Sequence, residues 1–139
     1  MHGDFHMANV MFRNDGPELA AVADWELATI GDPLADVGYL CAMWIDRDDP
    51  PTMFELSKVT RGDGFLRRDE LIARYEERSG RAMTDMRWYR TLALWKSIVF
   101  MEGNYKRAVT GATDDPYLKA FGDGVVELAR RAEALARGR

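Results

Sequence analysis

The apolar pattern at the start of the chain predicts a small β-hairpin. Residues 10–12 and 19–23 are short apolar runs, and residues 13–17 between them read Arg-Asn-Asp-Gly-Pro. Asn, Asp, Gly and Pro favour tight turns, so the two runs are expected to pair as antiparallel strands. This pairing would bring Asn9 and Asp24, which directly flank the outer ends of the runs, close together.

After the hairpin, the apolar spacing changes to that of a helix. Asp32 followed by Pro33 predicts a helix start, because the carboxylate can accept hydrogen bonds from free N–H groups and proline at the first helical position loses no bond. The helix should cover residues 33–45 and stop at the polar, proline-bearing segment 46–51, which we predict to be a solvated loop. Its expected buried face comprises Leu34, Val37, Leu40, Cys41, Trp44 and Ile45.

Most of the remaining chain has helical patterns. We predict a short helix over residues 52–59, an amphipathic helix over 68–79, a long helix over 84–109 capped by Thr84, and a last helix over 116–137. Trp44, Trp88 and Trp95 could line an acceptor pocket, but aromatic residues at helical spacing are more often core residues, and we expect these three in the core. The predicted fold class is mainly α, with a small β-hairpin near the N-terminus.

Composition narrows the range of functions. A chain of 139 residues with 47% hydrophobic and 30% charged residues can form one domain, or part of one, with a real core. The formal net charge of −4 argues against nucleic-acid binding. The most apolar window, residues 91–101, contains Lys96 and is too short to cross a membrane. The single cysteine, Cys41, cannot form a disulfide within the chain and fits a reducing, cytoplasmic location.

Three oxygen-bearing side chains converge near the hairpin. Asn9 and Asp24 offer the hard oxygen ligands that Mg²⁺ prefers, while phosphates and water commonly supply the rest of its coordination. Asp4, five positions before Asn9, would lie near the metal without binding it. Asp4 would then be free to orient and deprotonate a hydroxyl that attacks phosphorus.

The stretch from His2 to Asn9 resembles the catalytic loop of protein kinases, in which His-Arg-Asp is followed after four residues by Asn. Gly3 stands in place of the arginine, and His-Gly-Asp with this spacing is similar to the aminoglycoside phosphotransferase and choline kinase superfamily. This resemblance implies that the chain is the C-terminal lobe of a protein-kinase-like fold. It also implies an enzyme that uses ATP and Mg²⁺. It also implies that Asp4 is the catalytic base, that Asn9 and Asp24 hold the metal, and that His2 supports the loop.

The segment 23–40, Ala-Asp-Trp-Glu-Leu-Ala-Thr-Ile-Gly-Asp-Pro-Leu-Ala-Asp-Val-Gly-Tyr-Leu, is similar to the branch whose members include phosphotransferase domains fused to acyl-CoA dehydrogenases. By that resemblance Asp36 would hydrogen-bond the backbone around His2 and Gly3. Glu26 would either contribute to the outer surroundings of the metal or serve only as an acid in a helical first turn.

The resemblance also implies a domain organisation. Residues 1–32 would form the catalytic loop and metal-binding hairpin, and residues 33–139 a helical subdomain of the same partial domain. The family's N-terminal lobe, with its sheet and phosphate-pairing lysine, has no counterpart in the chain, whose four lysines all follow Asp24. We therefore expect little or no kinase activity from this polypeptide alone.

Two other functions stay open. His2, Asp4 and His6 alternate along the chain and could hold zinc in a hydrolase. Alternatively, the chain could be a helical binding or assembly module that self-associates through apolar residues such as Met7, Val10 and Phe12, exposed where an N-lobe would sit. As an enzyme, its partner would be a small molecule bearing a hydroxyl group, which the acidic residues Asp46, Asp48 and Asp49 could attract if that molecule were cationic.

Overall fold

The computed structural model describes residues 1–52, 55 and 57–138, and it contains the predicted hairpin. Strand β1 (Val10–Phe12) pairs antiparallel with strand β2 (Leu19–Val22), with Val10 opposite Val22 and an irregularity between Met11 and Phe12. The backbone N–H of Ala23 donates to the carbonyl oxygen of Asn9 at 2.9 Å. This bond joins the two outer ends of the hairpin, as the pairing predicted.

Five helices follow the hairpin in the described residues. They are α1 (Leu34–Met43), α2 (Arg68–Ser79), α3 (Met86–Val109), α4 (Pro116–Lys119) and α5 (Phe121–Ala136). The predicted helix over residues 68–79 is confirmed at both ends. Gly80, which follows its last residue, adopts the left-handed conformation that ends many helices. None of the helices among the described residues is both long and apolar enough to cross a membrane.

One helix start and one short helix differ from the sequence predictions. The long helix begins after Asp85, which has a positive φ of 56° and therefore lies outside the helix. Thr84, which we predicted as the cap, does not cap it. Residues 58–61 form a single 3-10 turn rather than an α-helix. The rest of the predicted helix over 52–59 falls partly outside the described residues.

The predicted last helix is divided at Ala120. Asp115 accepts a hydrogen bond from the N–H of Tyr117 at 2.9 Å and starts the short helix α4, which ends one turn later. The break turns α5 onto α3, where Gly122 lies against the Tyr105 ring. A Cβ atom at Gly122 would lie 2.9 Å from the ring Cζ, so close helix packing accounts for the division that periodicity alone did not predict.

The core lies between α1, α3 and α5. A larger apolar cluster joins these helices, and a smaller one connects α1 to α2. Gly38 allows α1 to approach α3 closely, because a Cβ there would lie 2.5 Å from the Cβ of Tyr89. All residues of the predicted face of α1 are buried except Leu40, which is partly exposed. Burial raises the pKa of the Cys41 thiol to about 11, so the thiol is protonated at neutral pH.

The segment after α1 is a loop, as predicted, and most of its residues are exposed, but Asp46 at its start is not solvated. Asp46 is buried, and its carboxylate accepts a hydrogen bond from the backbone N–H of Arg68 at 2.8 Å. The Arg68 guanidinium also donates to the carbonyl oxygens of Cys41 and Trp44, and it forms ion pairs with Asp46 and Asp49. One arginine therefore satisfies the free carbonyls at the end of α1 and fixes the loop, while Asp48 stays exposed.

The tryptophans divide between core and surface. Trp44 is buried and contacts the Phe65 ring, as predicted. Trp88 and Trp95 are each 59% exposed, so their assignment to the core is wrong. They lie on faces of α3 that α1 and α5 leave uncovered, and helical spacing alone did not distinguish these faces.

Candidate active site

The loop that carries Asp4 is held by the first turn of α1. Asp36 accepts hydrogen bonds from the backbone N–H of His2 at 2.6 Å and of Gly3 at 2.8 Å, which are the bonds expected from the resemblance. Gly3 has a positive φ of 88°, and a Cβ there would lie 2.3 Å from the carbonyl oxygen of Leu27. Only glycine fits this backbone without displacing its neighbour, which explains the Gly in His-Gly-Asp.

The His2 side chain connects the loop to the end of strand β2. Its Nε2 lies 2.8 Å from the carbonyl oxygen of Ala23, and its Nδ1 accepts a hydrogen bond from the N–H of Asp4 at 3.2 Å. Both ring nitrogens are therefore engaged by backbone, and the ring is buried. His2 has no free nitrogen for a metal, and within the described residues no group of three or more His, Cys, Asp or Glu side chains could hold one. The structure thus argues against the zinc site of His2, Asp4 and His6.

Asn9 orients the Asp4 carboxylate. Its Nδ2 donates to the backbone oxygen of Asp4 at 2.9 Å and to Oδ2 of the same residue at 3.2 Å. The His6 Nε2 lies 3.6 Å from that Oδ2, and His6 itself is held through its Nδ1 by the N–H of Ala8. Because the NH₂ group of Asn9 faces Asp4, its other amide atom, Oδ1, is available to a cation.

Asp24 approaches the same place from the hairpin. It follows β2 in a left-handed conformation, with φ of 65°, and its side chain is exposed. Asp4, Asp24 and Glu26 line one cleft of about 620 Å³. An amide oxygen and a carboxylate beside a solvent-accessible cleft suit Mg²⁺, which takes oxygen ligands and keeps positions for water and phosphate. Glu26 lies in the 3-10 turn Trp25–Leu27 and shares the cleft without contacting Asp4 through any hydrogen bond in the described structure.

Two residues of the site were not found from the sequence. Lys96 of α3 donates a hydrogen bond to the carbonyl oxygen of Gly3, and its Nζ lies 5.2 Å from the centroid of the Tyr39 ring. Burial raises the pKa of the Tyr39 hydroxyl well above its usual range, and the adjacent Asp4 carboxylate raises it further. Both side chains line the cleft with Asp4. The available signal was that Lys96 lies inside the apolar window 91–101, because a buried ammonium group requires a hydrogen-bonding or charged partner.

The comparisons with known proteins agree with this geometry. Residues 1–91 match the model of the phosphotransferase enzyme family, a span that includes the loop of residues 2–9, the hairpin and α1. The chain belongs to this family. The family resemblance inferred from the sequence is therefore confirmed.

The relatives of this chain include larger proteins. The chain is 31% identical over 135 residues to mouse acyl-CoA dehydrogenase family member 10, covering 93% of the chain and 12% of that protein. It is 30% identical over 141 residues to rat acyl-CoA dehydrogenase family member 11, covering 99% of the chain and 18% of that protein. The chain thus spans less than a fifth of the length of these relatives.

A solved structure confirms the predicted fold class of the chain. The crystal structure of a protein assigned as an aminoglycoside phosphotransferase from Ralstonia eutropha JMP134 superposes with a TM-score of 0.84 at 28% identity. The match covers 99% of this chain and 42% of that one. The chain accordingly has the mainly α-helical, protein-kinase-like lobe with a small hairpin that the sequence predicted.

Proposed function

We propose that the chain is part of an ATP-dependent phosphotransferase and supplies the catalytic base and the Mg²⁺ ligands for transfer of the γ-phosphoryl group to a small-molecule hydroxyl. The observation that carries this proposal is the arrangement of Asp4 beside Asn9, with Asp24 lining the same cleft. Membership of the phosphotransferase family supports the reaction type.

In this proposal Asp4 orients the acceptor hydroxyl and takes its proton as the new bond to phosphorus forms. Asn9 fixes the Asp4 carboxylate through its NH₂ group and directs Oδ1 towards the cation site. A bound Mg²⁺ would offset negative charge on the phosphate oxygens. His2 and Asp36 keep the loop backbone in place, and Lys96 holds it from the opposite side.

We further propose that the chain needs a nucleotide-binding lobe for turnover. The described residues contain one sheet, which is the two-stranded hairpin. The lysines of the chain lie on α-helices, except Lys58, which lies in a 3-10 turn. Nothing in that part of the chain provides a strand lysine to pair with ATP phosphates. A cytoplasmic location fits the buried, protonated Cys41 thiol.

The test is ATP- and Mg²⁺-dependent phosphorylation of a panel of hydroxyl compounds by a polypeptide that carries this chain together with a nucleotide-binding lobe. Asp4→Asn should lower kcat by about a hundredfold or more, because general-base catalysis is commonly worth that much. Thermal unfolding should change little. Asp114→Asn, an exposed loop substitution, is the matched control and should keep full activity. Undiminished turnover by Asp4→Asn would remove Asp4 from its role.

A further inference from the structure

Arg90 of α3 carries a polar group in the cleft that the chain itself does not satisfy. Its Nε is buried and has no hydrogen-bond partner. Neighbouring Arg68 uses its guanidinium on Asp46 and Asp49, whereas Arg90 forms no ion pair with any carboxylate in the described part of the chain. A buried donor without a partner is destabilising, and native proteins rarely keep one without a reason.

Arg90 stays cationic in this setting. Burial lowers its pKa, and the positive charge of Arg68 lowers it further, but a guanidinium does not lose its proton in a protein at neutral pH. The cleft is therefore lined by a positively charged guanidinium whose Nε has no hydrogen-bond partner. An anionic group with two oxygens, such as a carboxylate or a phosphate, is the natural partner for a guanidinium.

The position of Arg90 relates this charge to the reaction centre. Arg90 and Ser97 both line the cleft and are seven residues apart on α3, which corresponds to about 10 Å along the helix axis. Ser97 lies beside the Tyr39 hydroxyl, which in turn adjoins Asp4. A ligand with its hydroxyl group at Asp4 and an anionic group at Arg90 would thus need a spacer between these two groups.

The cleft also has an apolar lining. Its hydrophobic side chains from α1 and α3 include Ala42, Met43, Leu94 and Met101. The cleft is lined by the basic residues Arg68, Arg90, Lys96 and Arg131 and by the acids Asp4, Asp24, Glu26, Asp49 and Glu127. Of these acids, Asp49 is paired with Arg68.

We propose that Arg90 forms an anion-binding subsite of the acceptor cleft and selects hydroxyl compounds that carry a carboxylate or a phosphate beyond an apolar spacer. The position of the ligand's hydroxyl group at Asp4 rests on the proposed function. The anion-binding subsite at Arg90 is a separate binding property of the chain. It can be measured without ATP and without turnover.

The experiment is isothermal titration calorimetry of the chain with four ligands of equal length. These are a medium-chain ω-hydroxy fatty acid, the corresponding α,ω-diol, the phosphate monoester of that diol, and the corresponding amino alcohol. The wild-type chain should bind an anionic ligand more tightly than the diol or the amino alcohol. Comparing the carboxylate with the phosphate ester identifies which anion the subsite prefers.

Substitutions then assign the preference to Arg90. Arg90→Met keeps the length of the aliphatic stem and should weaken anion binding by about tenfold or more, while leaving the diol unaffected. Arg90→Lys should retain part of the affinity, which protects the test if the methionine variant folds poorly. Arg130→Met, an exposed change on α5, is the control. Circular dichroism checks that each variant is folded.

Unchanged anion affinity in folded Arg90→Met and Arg90→Lys would overturn the subsite, as would tighter binding of the amino alcohol by the wild type. Absence of measurable binding of both anionic ligands would also overturn it. Anion binding is measured without ATP and without turnover. Failure of the phosphotransfer assay with retained anion selectivity would therefore count against the proposed function and leave the subsite standing.

Discussion

At the scale of single residues, Lys96 is the part of the site that the sequence concealed. Its ammonium group donates to the Gly3 carbonyl and lies over the Tyr39 ring, so it holds the catalytic loop against α3. The charged residues of the loop were recognisable from their order along the chain. Lys96 was not, because the contact joins residues 93 positions apart and only the fold brings them together.

Replacing Lys96 should loosen the loop. Lys96→Met removes a charged hydrogen bond and a cation–π contact, so the free energy of unfolding should fall by about 1 to 3 kcal/mol. In a polypeptide with the nucleotide-binding lobe, kcat should fall while KM for ATP changes little, and Lys96→Arg should restore part of kcat. Chemical denaturation and steady-state kinetics measure the two effects. Lys106→Met, an exposed position on the same helix, is the control, and equal effects from both substitutions would contradict the assignment.

At the scale of elements, the first turn of α1 holds the catalytic loop in place. The Asp36 carboxylate accepts from two consecutive backbone N–H groups of that loop. Asp32, which the sequence indicated as a helix cap, accepts from the N–H of Leu34 at 2.9 Å and from the Tyr89 hydroxyl at 2.7 Å. These contacts lower the pKa of Asp32 and also connect the start of α1 to α3.

Removing the Asp36 carboxylate should release the loop. Asp36→Ala leaves two partly buried N–H groups without their charged acceptor, so unfolding should become easier by about 2 to 3 kcal/mol. Hydrogen exchange at the Gly3 amide should accelerate more than exchange in the middle of α3. The exposed Asp69→Ala in α2 should change stability by less than about 0.5 kcal/mol. Unaltered exchange at Gly3 in folded Asp36→Ala would refute this role.

Local signals predicted the elements that depend on a few neighbouring residues. The hairpin, the start of α1 and both ends of α2 follow from turn residues, Asp-Pro and a terminal glycine. The break at Ala120 and the burial of Asp46 did not follow, because one depends on packing against Tyr105 and the other on Arg68, which is distant in sequence. The missed features are those that tertiary contacts decide.

At the scale of the whole molecule, the outer face of the hairpin is apolar and exposed. Met7 and Val10, which we expected to be exposed, are partly buried, whereas Met11, Phe12 and Leu19 are at least half exposed. Contiguous apolar surface of this kind favours association. We therefore retain the prediction of self-association and place it on this exposed face of the hairpin.

The prediction is a sedimentation coefficient that rises with protein concentration. The double variant Met11→Ser and Phe12→Ser should sediment as a monomer over a wider range, because it removes apolar area from the patch. Val99→Ser, an exposed change on α3, should behave like the wild type. A wild-type chain that sediments as a monomer at every concentration would rule out this association.

The central claim is that Asn9 and Asp24 place a divalent cation beside Asp4, and paramagnetic NMR tests it most directly. Mn²⁺ with ATP, added in small amounts to the isotope-labelled chain, should selectively broaden the amide signals around Asn9, Asp24 and Asp4. The double variant Asn9→Ala and Asp24→Ala should lose this broadening, whereas Asp114→Ala should keep it. Broadening centred elsewhere, or unchanged in the double variant, would contradict the account.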